Sequence, residues 1–275
     1  MKFFTFIIII LLKNSAYCDI IFKTDFTRIK RMKKIFLTLL CAIILYSCGE
    51  SSVEQDKSII NNEKDGDYNY MKIITYSLGA NMTNCYLVYD ENSRKACLID
   101  PGEYDGEIMD AILSNELSLE YIILTHGHFD HILGADIFRE KTGAKIAAHE
   151  LEAEYLNDPE KSMTFFYGSE TLSADILLKD NDIIAFGDIS LKLVHTPGHT
   201  KGSSCFINKD EKIMFSGDTL FKGNIGRYDF YGGNYAELLE SLRKLKALNE
   251  NYKIYSGHGD TTSLDDEIAK NPYFR

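Results

Sequence analysis

The sequence has no Cys-x-x-Cys pair, no internal repeat and too few basic residues to balance its acidic ones. Each shortage excludes something. Three of the six cysteines (Cys18, Cys41, Cys48) fall in the first 48 residues, which leaves the odd set Cys85, Cys97 and Cys205 in the rest. That implies no disulfide framework. Cys97 and Cys205 lie in apolar runs and are expected as small core residues. The first 48 residues hold 8 of the 30 Lys+Arg and 2 of the 41 Asp+Glu, so residues 49–275 carry 22 against 39, a formal charge of −17. An acidic body of that kind repels phosphate backbones and excludes nucleic acid as a partner. It also disfavours anionic headgroups, so membrane contact is expected only through the front segment.

A third shortage is of long apolar runs. "FFTFIIIILL" and "IFLTLLCAIILYSC" are the two in the front segment, and both fall short of the roughly 20 residues a spanning helix needs. Each follows lysine and has a short apolar core, which is the grammar of an export signal. Met32 offers a second start, from which "MKKIFLTLLCAIILYSC" reads as a complete signal. Its end, Leu45-Tyr46-Ser47-Cys48, resembles the lipobox of bacterial lipoproteins. That resemblance implies cleavage before Cys48 and a lipid on its thiol, holding an exported protein on a membrane surface. Residues 1–48 are therefore read as an export segment. Residues 49–70 are polar and aperiodic and are read as a tether, and 71–275 as one folded body.

What the body does have is pattern. "KIITYSL", "CYLVYD", "KACLID", "LEYIILT", "AKIAAHE", "ISLKLVHT", "SSCFIN", "KIMFSG" and "YKIYSG" read as strands. "GEIMDAILSNE" and "NYAELLESLRKLKALN" have helical spacing. Further helices are expected from about Asp130 and near Asp265. Residues 157–181 show no strong pattern and are expected as a loop over a site. Strands in two groups with helices between them predict an α/β fold of two sheets covered by helices.

Histidine is concentrated where those strands end. "HGHFDH" places His126, His128, Asp130 and His131 after "YIILT". His199, Asp218 and His258 each follow a later strand, directly after Gly198, Gly217 and Gly257. Loops at strand ends present functional groups, and glycine permits close backbone approach. His-x-His-x-Asp-His is rare enough by chance to point to a metal site, for one metal or two. His149 and His195 fit no such placement and are expected as structural or supporting groups.

"THGHFDH", "TPGHT", "SGDTLF" and "SGHG", in that order, resemble the motifs of the metallo-β-lactamase superfamily, from about Met71 to Arg275. The pattern is most similar to its glyoxalase II-like branch, whose small bacterial members also carry a stretch like Gly226–Gly233 and a terminus like "NPYFR". The resemblance implies an αββα sandwich with a binuclear site. His126, His128 and His199 would hold one metal, Asp130, His131 and His258 the other, and Asp218 would bridge them. Imidazole and carboxylate suit zinc first, with iron or manganese as alternatives. The implied activity is hydrolysis of a thioester, such as a hydroxyacyl-glutathione, by a metal-bridging hydroxide, with Asp130 orienting the nucleophile. Alternatives are a lactonase or other ester hydrolase, a mononuclear iron persulfide dioxygenase, and a non-enzymatic metal-binding lipoprotein. Related β-lactamases place Cys or Ser at the position of Asp218, which argues against β-lactams. The C-terminal helical domain of full-length glyoxalase II has no counterpart after His258. Arg227 is the candidate for gripping a substrate carboxylate, with a surface salt bridge as its other reading. Tyr228 and Phe221 are candidates for the pocket wall.

Overall fold

The computed structural model describes residues 70–169 and 171–275. The expected export segment, Cys48 and all of the tether except Tyr70 lie outside them. Among the described residues, no helix is long and apolar enough to cross a membrane.

The first half of the body forms a six-stranded sheet in the order β1 (Met71–Leu78), β2 (Thr83–Asp90), β3 (Lys95–Ile99), β4 (Ser118–Ile123), β5 (Lys145–His149), β6 (Ile176–Leu178). The second half forms another from β7 (Ile183–Phe186), β8 (Ile189–His195), β9 (Ser204–Asn208) and β10 (Ile213–Gly217). A two-stranded ribbon, β11 (Leu220–Phe221) and β12 (Asn224–Ile225), follows, and β13 (Lys253–Ser256) and β14 (Thr262–Ser263) complete the second sheet in the order β14-β13-β10-β9-β8-β7. The helices are α1 (Gly106–Ser114), α2 (Phe129–Ile132), α3 (Ala135–Thr142), α4 (Ala153–Leu156), α5 (Pro159–Ser162), α6 (Tyr235–Lys246) and α7 (Leu264–Lys270). Asp105, Asn234 and Ser263 cap α1, α6 and α7 by accepting from backbone N–H groups of the first turn, which would otherwise be unpaired.

The central strands β2, β3, β9 and β10 are buried along most of their length because both faces are covered. In β2, Cys85 and Leu87 face α1 and α3, while Tyr86 and Val88 face the other sheet. In β9, Phe206 faces inward and Cys205 and Ile207 face α6. Three apolar layers result. One lies under α1 and α3 around Phe138, one lies between the sheets around Phe186, Phe206 and Phe215, and one lies under α6 around Leu238 and Leu242. The three free cysteines, Cys85, Cys97 and Cys205, are buried, one in each layer. This is the αββα sandwich.

The expected strands and helices form, but residues 157–181 are not simply a loop. They contain α5, a 3-10 turn at Thr164–Tyr167 and the edge strand β6. β6 has three residues and pairs only with β5, too short for periodicity to register. β7 was missed for the same reason, and its Ile183 faces solvent.

Parallel pairing places the site. β3 pairs parallel with β4, and β10 with β13. The carboxyl ends of each pair therefore open at the same edge, where such sheets present their functional groups. At that edge the sheets touch directly. Asn84 N–H donates to the Gly257 carbonyl at 2.8 Å, and Thr83 bridges His258.

Candidate metal centre

Five histidines and two aspartates from four loops meet at this edge. His126, His128 and His131 follow β4, His199 follows β8, Asp218 follows β10, and His258 follows β13. His199 Nε2 lies 2.9 Å from His128 Nδ1 and 3.2 Å from His126 Nε2. Nitrogens bound to one tetrahedral zinc at about 2.0–2.1 Å stand ~3.3 Å apart, so this spacing suits a shared ion. Asp130 Oδ2 lies 3.5 Å from His258 Nε2 and 3.9 Å from His131 Nε2. Asp218 stands between the groups, with Oδ1 3.4 Å from His131 Nε2 and Oδ2 3.7 Å from His199 Nε2 and 3.6 Å from His258 Nε2. His126, His128 and His199 form one set able to hold a metal ion, and Asp130, His131 and His258 another.

The far side of each ring shows what the near side can do. His199 Nδ1 is 2.7 Å from the Arg227 carbonyl and His258 Nδ1 is 3.2 Å from the Asn81 carbonyl. A carbonyl only accepts, so both Nδ1 atoms carry the proton. His131 Nδ1 faces Asp100 Oδ2 at 3.0 Å and must donate to it. Thr125 Oγ1 donates to the same oxygen at 2.6 Å, so it accepts from His126 Nδ1 at 3.2 Å. In four neutral rings Nε2 is therefore bare, and all four lone pairs converge on a space that already holds two carboxylates. Lone pairs in such a space repel unless cations or protons sit between them. His128 Nε2, His131 Nε2 and Asp218 Oδ1 are buried with no hydrogen-bond partner, and His128 presents its Nδ1 to the bare His199 Nε2 at 2.9 Å. The residues fit two divalent cations.

Without cations, protons take that place. Burial, then the neighbouring histidines, holds His126 and His128 well below the usual range. Burial also lowers His199. His131 goes the other way. Burial opposes its charge, but Asp218 and Asp100 outweigh burial and push it up to about 10. Asp130 is held far below the usual carboxylate range, against its own burial, by His258 and His131. Metal binding would release the His131 proton.

Support for the site includes residues the sequence reading missed. Asp100, buried after β3, accepts from Thr125 N at 2.7 Å as well as from Thr125 Oγ1 and His131. It therefore sets two ring tautomers. Its position after a strand is the signal that flagged Asp218. Glu152 had no such signal, since "ELEAE" reads as a solvated acidic turn. It is fully buried and accepts from Gly127 N at 2.6 Å, Gly202 N at 2.7 Å and Thr200 Oγ1 at 2.6 Å. It thus ties the His126–His128 turn to the His199 turn. Burial pushes its carboxyl up to about 7 against those three donors. The folded state then keeps a proton that the unfolded chain gives up near pH 4.3, so this group's contribution to stability is present below that pH and fades as pH rises to about 7. Glu152→Gln should flatten the stability profile across that window, read as the difference in Tm from the parent between pH 5 and 8.

Two glycines are required by contact. Gly198 has φ +129°, and a Cβ there would overlap the backbone of Leu238 on α6. A Cβ on Gly257 would strike Asp218 Oδ1 and the His131 ring. Gly257→Ala should fold but bind about one metal fewer, measured by elemental analysis of the purified variant.

The remaining expected residues separate. Arg227 donates to Asp229 from Nε and Nη2, at 2.8 and 3.0 Å, and covers the Phe230 ring. Tyr228 packs on Tyr235 with ring centroids 4.8 Å apart, and Phe221 flanks His258 at 6.0 Å. His149 and His195 stack on one another with ring centroids 4.1 Å apart. "NPYFR" also has a place. Asn271 Nδ2 donates to the Asn224 carbonyl, pinning the ribbon that leads into Arg227.

The chain is also similar to known proteins. The chain is 33% identical over 210 residues to the hydroxyacylglutathione hydrolase GloC of Haemophilus influenzae, covering 74% of this chain and 98% of that protein. It is similar in structure to TTHA1623 in a di-iron-bound form (TM-score 0.64, 30% identity, 73% of this chain and 99% of that one). It is also similar to the B3 metallo-beta-lactamase BLEG-1 (TM-score 0.68, 32% identity, 73% and 98%). The metallo-beta-lactamase superfamily pattern matches residues 78–258, from the end of β1 to the last of the converging histidines, and the chain belongs to that superfamily.

Proposed function

We propose that the chain is a binuclear metallohydrolase that cleaves a thioester, with His126, His128 and His199 holding one ion, Asp130, His131 and His258 the other, and Asp218 shared. The gathering of three imidazole Nε2 atoms, from both sets, around Asp218 carries this reading. Two bound divalent cations, zinc first and iron or manganese as alternatives, would supply an ionised water near neutral pH and a Lewis-acid contact for a carbonyl oxygen.

The protein's own part is to hold, orient and exclude. Asn81 Nδ2 and Thr83 Oγ1 donate to Asp130 Oδ2 at 3.0 and 3.3 Å. That fixes the carboxylate and leaves Oδ1 to orient an attacking water and take its proton. The site opens into a cavity of about 730 Å³ lined in part by His128, Asp130, His199, Asp218 and His258, a size suited to a small molecule. A thioester suits it because a thiolate, with a thiol pKa of ~8.5, leaves without a strong acid beside it. The identity to a hydroxyacylglutathione hydrolase supports the same choice, and an ester or lactone is the runner-up. The test is hydrolysis by the metal-loaded chain of a panel of thioesters, lactones, esters and β-lactams, before and after chelation. Thioester turnover that chelation leaves intact would end this reading.

The front segment supports a second proposal, that the protein is exported and held on a bacterial membrane by lipid on Cys48. Cys48→Ala should move it from the membrane fraction to the soluble one.

A further inference from the structure

The cavity wall facing the metal centre is aromatic. Phe129, from the "HGHFDH" turn itself, stacks on Tyr167 with centroids 4.7 Å apart and planes 17° from parallel. Tyr167 belongs to the segment "MTFFYG", whose 3-10 turn is bracketed by two left-handed residues, Met163 at φ 63° and Gly168 at φ 117°. That turn leaves Phe166 69% exposed at the cavity. An apolar side chain of that size gains nothing from water, so its position at a catalytic mouth asks for an occupant. Phe230 and Arg227 line the same cavity.

Arg227 is the one Lys or Arg among the residues lining the cavity. Asp229 occupies its Nε and Nη2 edge and already balances its charge, and Phe230 covers one face. An anionic substrate tail would find only the remaining Nη edge of a guanidinium that already has its counter-charge. An uncharged apolar tail needs no counter-charge and covers Phe166.

We infer that the non-reacting part of the substrate is an uncharged apolar group, aromatic or alkyl, seated on Phe166, Tyr167, Phe129 and Phe230, rather than an anionic peptide thiol. The inference rests on the hydrolase reading for the reacting end and names the chemistry of the other end. Burying one phenyl face against this wall should favour an apolar substrate by about 10-fold or more in kcat/KM.

The test uses the metal-loaded full chain and one acyl group carried on two thiols, benzyl mercaptan and glutathione. A non-hydrolysable benzyl thioether serves as a binding probe in calorimetry. The benzyl thioester should be preferred by about 10-fold, and Phe166→Ala should cut that preference about 10-fold, chiefly through KM. The same variant should weaken thioether binding and make its heat-capacity change less negative. Phe166 is exposed, so its loss spares the core. Preference for the glutathione thioester, unchanged in Phe166→Ala, would overturn the inference while leaving the hydrolase reading intact. Thioether binding that depends on Phe166, with no ester or thioester hydrolysed, would support the subsite and overturn the hydrolase reading instead.

Discussion

Asp218→Ala should lower kcat for any hydrolysed substrate by at least ~10³-fold, equivalent to about 4 kcal/mol of barrier. It should also reduce bound metal from about two per chain to one or fewer. Asp218 lies within 4 Å of histidines from both sets, at 3.4 Å from His131, 3.6 Å from His258 and 3.7 Å from His199. Without it, bare imidazole nitrogens from both sets face one another with no shared negative charge to hold a second cation. The fold should survive, because Asp218 sits in the loop after β10 and not in any of the three apolar layers. Elemental analysis and steady-state kinetics on the same preparation check both parts. Arg227→Ala is the contrast. Its ligand-orienting group is the backbone carbonyl that accepts from His199, and that carbonyl remains.

The second large effect belongs to a residue that touches no substrate. Asp100→Asn keeps the shape but replaces one accepting oxygen with an N–H₂ group. Asp100 now accepts three donors, Thr125 N, Thr125 Oγ1 and His131 Nδ1. Asparagine can accept on one side only, so one buried donor is left facing another. If the amide faces His131, its proton is forced to Nε2, and the lone pair aimed at the second metal is lost. Metal affinity should fall about 10- to 100-fold, and stability by about 1–3 kcal/mol for the orphaned donor. Competition with a chelator reads the first, and chemical denaturation of the metal-free chain reads the second. Loss of stability with unchanged metal affinity would reduce Asp100 to a structural role.

The sequence made the strands and helices readable wherever burial is one-sided in helices or complete in strands. The runs "CYLVYD" and "KIMFSG" are apolar in their middles because helices cover one face and the partner sheet the other. It did not show β6 and β7. Their few residues are held by pairing with β5 and β8, and pairing between distant segments leaves no local periodicity. The seven converging residues were readable because histidine and aspartate after strands are uncommon and bear chemistry. Asp100 has the same placement, directly after β3, but ends the run "KACLID" with no histidine beside it to draw attention. Glu152 could not have been found, since nothing in "ELEAE" says that one carboxylate turns inward to accept from two loops 25 and 50 residues away. The aromatic strap at 163–167 lay inside the segment expected over a site, but only the fold shows that its rings line the cavity.

The metal content of the purified, active chain tests the central claim most directly. Two divalent ions per chain, with thioester hydrolysis lost on chelation and restored on adding them back, is the predicted result. One iron per chain with full activity, or hydrolysis that continues in the metal-free protein, would contradict it.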